Sequence, residues 1–162
     1  MSELEAQIRR VQTSDCMDLA LFFEENNRSE ITQHFHPFPL TSQSAHDIAC
    51  KSHQDRYYIA MHNGCIVGLC MLRGWDEGFS VPSFGVFVDF RHHGLGFGKR
   101  LTGFAIDTAR SLNCSAIRLS VYASNKRAKY LYEAFGFMEI DQEPVIVAGV
   151  PDIKIIMLMD LE

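Results

Sequence analysis

Long apolar runs are missing from this chain of 162 residues. No stretch approaches the ~20 residues that a membrane-spanning helix needs. The opening segment MSELEAQIRR has no apolar core of the kind a secretory leader carries. Cysteines are few and unpatterned. The five stand at positions 16, 50, 65, 70 and 114, an odd number with no CxxC pair. This argues against a disulfide framework and a zinc knuckle, and favours buried structural thiols in a reducing, cytoplasmic setting. Proline is sparse too, and no Pro/Gly/Ser-rich linker or internal repeat divides the chain. One domain spanning 1–162 is the expectation.

Charge of one sign is also lacking. The formal net charge is -5, which speaks against wholesale nucleic-acid binding. Its distribution is uneven, however. Eight of the fifteen Lys and Arg residues fall between Arg91 and Lys129. A local anionic ligand suits that clustering better than a polyanionic partner does. Apolar residues, at 47%, suffice for a real core.

Hydrophobic periodicity and turn residues predict the elements. A strand at Ile8–Gln12 leads into a helix capped by Ser14 or Asp15, and a loop with two prolines follows it. A short helix covers Ser44–Lys51. Asn63-Gly64 marks a hairpin between strands Arg56–Met61 and Cys65–Leu72. A strand at Ser83–Asp89 runs into a glycine stretch, and a helix spans Leu95–Leu112. Then come a strand at Ala116–Tyr122, a helix at Lys126–Phe135 ended by Gly136, and strands near Met138–Val147 and Ile153–Leu161. The pattern is mixed α/β.

The glycine stretch, RHHGLGFGK at 91–99, carries the chemistry. A strand passing through glycines into a helix N-terminus offers unpaired N–H groups and partial positive charge to an anion. Gly94, Gly96 and Gly98 can aim amides at a phosphate, with Arg91 and Lys99 adding charge. Neither the Walker A spacing nor the dinucleotide fingerprint fits, since Arg100 follows Gly98-Lys99 and Lys99 stands where a third glycine is needed.

A second segment, NKRAKYLYEAFGF at 125–137, has the form N-x-x-A-x-x-L-Y-x-x-x-G-F. With R-x-x-G-x-G at Arg91–Gly96, it resembles the GCN5-related N-acetyltransferase (GNAT) superfamily. By element order the resemblance covers about positions 55–160. It implies an α/β (α+β) fold whose mixed, mostly antiparallel sheet is splayed by a β-bulge and flanked by about four helices. It implies acetyl-CoA or another acyl-CoA as donor, its pyrophosphate on the amides of His92, His93, Gly94, Leu95, Gly96, Phe97, Gly98 and Lys99. Backbone groups of Phe87 and Val88 would pair with the pantetheine arm, with a backbone N–H at or next to Val88 serving as oxyanion donor. Asn125 would contact the arm while capping its helix. Tyr132 would protonate the departing thiolate. Arg127 and Lys129 stand where they would reach the 3′-phosphate or simply face solvent.

The acceptor would be a small-molecule or peptide amine. Candidate contacts are His36 and Phe38 in the two-proline loop, and Trp75, Asp76 and Glu77 in the turn after a central strand. Asp76, Glu77, Asp89, His36 or a water chain would serve as base. No carboxylate or cysteine stands at ligand spacing beside His34, His36, His92 and His93, so no metal is expected. Many relatives pair through C-terminal strands, which makes a homodimer an option. The rival expectations are an acyl-CoA sensing module without turnover and a nucleotide-binding α/β domain of another type.

Overall fold

The computed structural model describes residues 6–162. Seven strands form one sheet: β1 (Gln7–Arg10), β2 (Arg56–His62), β3 (Cys65–Arg73), β4 (Ser83–Val88), β5 (Ala116–Tyr122), β6 (Met138–Val147) and β7 (Val150–Asp160). Their spatial order is β1-β2-β3-β4-β5-β7-β6. All pairs are antiparallel except β4–β5, which run parallel and meet at a single register pair, Ser83 with Arg118. Beyond that pair the two strands diverge, leaving a gap in the middle of the sheet. The register shifts lie elsewhere, at Ala60/Met61 and Glu139/Asp141, while β4 pairs with β3 in unbroken register.

Five helices cover the sheet: α1 (Cys16–Asn26), α2 (Ser29–Thr32), α3 (Ser42–Cys50), α4 (Phe97–Ser111) and α5 (Lys126–Phe135). Strand alternation builds a separate core on each face. Val86 and Val88 join the cluster under α4 and α5, with Leu101, Ala105 and Tyr132. Phe87, between them in sequence, joins Leu19, Phe22, Phe23 and Ile48 under α1 and α3. Each fully buried side chain of this size contributes about 1.5–3 kcal/mol. The α4 face needs Gly68 in β3, where an added Cβ would lie 2.7 Å from Leu101 Cδ1.

Several boundaries differ from the sequence expectation. Helix α4 starts at Phe97, two residues later than its apolar spacing suggests. Gly94 and Gly96 hold φ of +79° and +88°, which a right-handed helix does not admit. The tail folds as one hairpin turning at Ala148-Gly149, both at positive φ, so β7 begins at Val150. The two-proline loop is preceded by the extra turn of helix α2. Of the five cysteines only Cys70 is buried, so the expectation of buried thiols holds for that residue alone.

Candidate active site

The segment after β4 is held by one carboxylate. Asp89 is fully buried, and its oxygens accept from Asn26 Nδ2 (2.9 Å), the Arg91 backbone N–H (3.1 Å), Arg91 Nε (3.1 Å) and Arg91 Nη2 (3.1 Å). His92 Nδ1 lies 2.7 Å from the same group. Asn26, also fully buried, accepts the Phe90 amide at 3.0 Å. Burial alone would push the Asp89 carboxyl up. The hydrogen bonds from Arg91, Asn26 and His92 outweigh it and hold the group well below the usual carboxylate range. Asp89 therefore organises the loop and is not placed as a base. Arg91 is consumed by Asp89 and by Glu25, 2.5 Å away, and does not line the cleft. The His92 amide donates to Asp89 O, so its main chain too is spent within the loop.

From His93 onward the main chain is open. No backbone acceptor among the described residues takes the amides of residues 93–99. Gly94 and Gly96 hold positive φ just ahead of α4, whose dipole adds partial positive charge at that end. Lys99 and Arg127 line the same space, and Arg127 Nη2 would lie 3.7 Å from a Cβ at Gly94. Open amides beside two cations at a helix N-terminus form a cradle chemically suited to a phosphate or diphosphate. Leu95 does not line it, and its side chain is exposed.

The cradle opens into a cleft of about 870 Å³ that follows the gap between β4 and β5. Asp89 N–H donates to Val67 O, which fixes the alternation along β4. Val88 and Val86 present their main-chain groups toward the gap, whereas those of Phe87 face β3. Of the two residues expected to offer backbone partners, Val88 thus faces the gap with its main chain and Phe87 does not, while Val86 also faces it. The Val88 carbonyl is engaged by His93 Nε2 at 2.8 Å.

Tyr132 lines the cleft from α5, between Phe84 and Phe137. Its hydroxyl has no hydrogen-bond partner among the described residues, and burial pushes the phenol up to about 12. Asn125 also lines the cleft, and its Oδ1 accepts the Ala128 amide as the N-cap of α5. Lys129 turns away to Glu133 and Glu139.

The opposite end is walled by α2 and the two-proline loop. His36 Nδ1 and the Tyr122 hydroxyl are hydrogen-bonded at 2.6 Å, and both residues line the cleft. His34 Nε2 lies 3.3 Å from Ser124 Oγ, which donates to Asp152 at 2.5 Å. Burial lowers the His34 imidazole against the opposing pull of Asp152. The Tyr122 phenol is raised, by burial first and then by Asp152.

Four expected acceptor contacts lie outside the cleft. Phe38 packs on Phe23, Phe35 and Tyr57. Trp75, Asp76 and Glu77 form a 3-10 turn bound to the loop before β2, where Asp76 accepts the Gln54 amide at 2.7 Å. A polar turn at a strand end looks the same in sequence whether it faces substrate or a neighbouring loop. Tyr122 and Asn26 were missed, because one is the last residue of a strand and the other the last residue of a helix.

The sequence profile described as "Acetyltransferase (GNAT) family" matches residues 20–137. The chain belongs to the GNAT acetyltransferase family. Curated relatives include the N-acetylaspartate synthetase of Rattus norvegicus, 32% identical over 81 residues. That match covers 50% of this chain and 27% of the relative, so the chain spans about a quarter of it. The fold is shared with the yncA protein of Salmonella typhimurium, solved with its cofactor acetyl-CoA, at a TM-score of 0.78 and 20% identity over 97% of this chain and 94% of that one. The ribosomal-protein-S5-alanine acetyltransferase of Vibrio fischeri superposes at 0.81, with 16% identity, over 100% and 95%. GNAT acetyltransferases take their acyl group from acetyl-CoA, need no metal for the transfer, and act on small-molecule or protein amines. No helix among the described residues is long and apolar enough to cross a membrane.

Proposed function

We propose that this GNAT chain is an N-acetyltransferase that moves an acetyl group from acetyl-CoA to a primary amine by direct attack. The observation that carries this reading is a single continuous cleft, with unpaired amides and cations at one end, a phenol with no partner in its wall, and a His–Tyr pair at the other end. The amides of His93–Lys99, with Lys99 and Arg127, would hold the pyrophosphate. The gap-facing main chain of Val86 and Val88 would align the pantetheine arm as an added strand, helped by Asn125. Bound there, acetyl-CoA supplies an activated thioester.

The Val88 N–H is the proposed oxyanion donor. Tyr132 keeps its proton through the physiological range and donates it to the departing thiolate. Of the four side chains named as bases, His36 alone lines the cleft and would serve, directly or through a water chain, since Asp89 is saturated and neither Asp76 nor Glu77 reaches the cleft. Its bond to Tyr122 would orient the imidazole toward an incoming ammonium.

A panel of primary amines, assayed for acetyl-CoA-dependent release of free thiol and for the mass of the acetylated product, tests the proposal. Turnover with at least one amine is expected. Tight acetyl-CoA binding with no turnover across small amines and peptides would instead favour the sensing module. We also propose that two chains pair through β6, an edge strand with exposed Met138, Ile140 and Ile146. Sedimentation equilibrium should give a dimer mass, and a monomer across the micromolar range would refute that pairing.

A further inference from the structure

Outside the cleft, three metal-ligating side chains converge on the helical layer. Cys16 is the first residue of α1. His46 and Cys50 lie one turn apart on α3, at i and i+4, and so share a helix face. The two thiol sulfurs and one imidazole nitrogen all lie within 4.8 Å of one another. Cys16 Sγ and His46 Nδ1 are 3.9 Å apart. None of the three lines the acetyl-transfer cleft.

We propose that Cys16, His46 and Cys50 form a site for a soft, borderline divalent ion, zinc above all. Two thiolates and one imidazole are the donor set that zinc prefers over the hard-cation ligands of calcium or magnesium. With bonds of about 2.3 Å to sulfur and 2.0 Å to nitrogen, tetrahedral ligands stand about 3.5–3.8 Å apart. The present separations need only small side-chain rotations to reach that spacing. The backbones are already placed, because α1 and α3 pack through Leu19, Phe23, Ala45 and Ile48 in one buried cluster. Little ordering therefore remains to be done when the ion binds. Cys50 and His46 are exposed and Cys16 is half-buried, so the ion has a path in and a fourth position open to water.

The expected effect is a clip between the start of α1 and the end of α3. Binding would release the thiol protons, so affinity should weaken as pH falls. Acetyl transfer does not depend on the site, and its loss should leave turnover intact.

The test uses reduced, chelator-stripped protein. Titration with cobalt(II) should give the absorption of a tetrahedral thiolate complex at one equivalent, bleached by one equivalent of zinc. Zinc should raise the melting temperature of the native chain. Cys16→Ser, Cys50→Ser and His46→Ala should each weaken zinc binding by more than about tenfold and cancel the thermal shift. Cys65→Ser, at an exposed thiol on another element, should change neither. All these positions are at least partly open to solvent, so the variants should fold. Absence of stoichiometric binding at micromolar zinc, or undiminished binding by the Cys16→Ser/Cys50→Ser double variant, would overturn the proposal.

Discussion

At the scale of single residues the proposed chemistry rests on Tyr132 and His36, and each makes a separable prediction. Tyr132 loses solvent on entering the aromatic wall, and that loss raises its phenol to about 12. The group therefore stays protonated across the working range. Tyr132→Phe removes a proton and one oxygen from a site already shaped by Phe84 and Phe137. We expect kcat to fall by about a hundredfold or more while KM for acetyl-CoA stays near its native value; unchanged steady-state turnover would remove Tyr132 from the mechanism. His36→Gln should lower kcat/KM for the amine most strongly near neutral pH. The deficit should narrow as pH rises, because the acceptor then arrives already deprotonated. A deficit constant with pH would assign His36 to packing.

At the scale of elements, two helix N-termini line the cleft proposed to hold the donor. Gly98 lies inside α4, and a Cβ there would make only an ordinary 3.7 Å contact with Val88 Cγ2. Alanine is favoured over glycine in a helix by about 0.5–1 kcal/mol. Gly98→Ala should therefore leave the melting temperature unchanged or raised. It should still weaken acetyl-CoA binding by calorimetry, because the methyl group enters the cradle. Equal affinity for both proteins would move the diphosphate away from this turn. Asn125→Ala removes the cap of α5 and should cost about 1 kcal/mol of unfolding free energy. Denaturant titration reads that cost, and a null result would mean water replaces the cap.

The pairing of Asn26 with Asp89 ties together parts of the molecule 63 residues apart in sequence. It joins the last residue of α1 to the loop that shapes the cradle, so the helical layer and the site should fold and fail together. Asp89→Ala takes one acceptor from each of Arg91, Asn26 and His92 and should destabilise the fold by about 1–3 kcal/mol. Because the native Asp89 carboxyl is held below its ordinary value of about 3.9, the unfolded chain takes up this proton first. Its contribution to stability is therefore complete above about pH 5 and declines as pH falls further. Urea midpoints measured from pH 6 to pH 3 should drop in the native protein, and drop less in Asp89→Ala.

Much of this was legible in the chain itself. Period-two and helical spacings placed every strand and four of the five helices. Asn63-Gly64 marked a hairpin, Gly136 a helix end, and the segments at 91–99 and 125–137 announced the cradle and the Tyr132 helix. These are local signals, set by backbone preference and short-range periodicity. The sequence did not show which amides Asp89 consumes, that Phe87 turns its main chain toward β3, that Tyr122 meets His36, or that Trp75-Asp76-Glu77 faces another loop. Nor did it show Cys16, His46 and Cys50 drawn together. Each of these depends on strand register or on helix packing across long stretches of chain, and only the closed tertiary structure determines which groups are left unpaired and face one another.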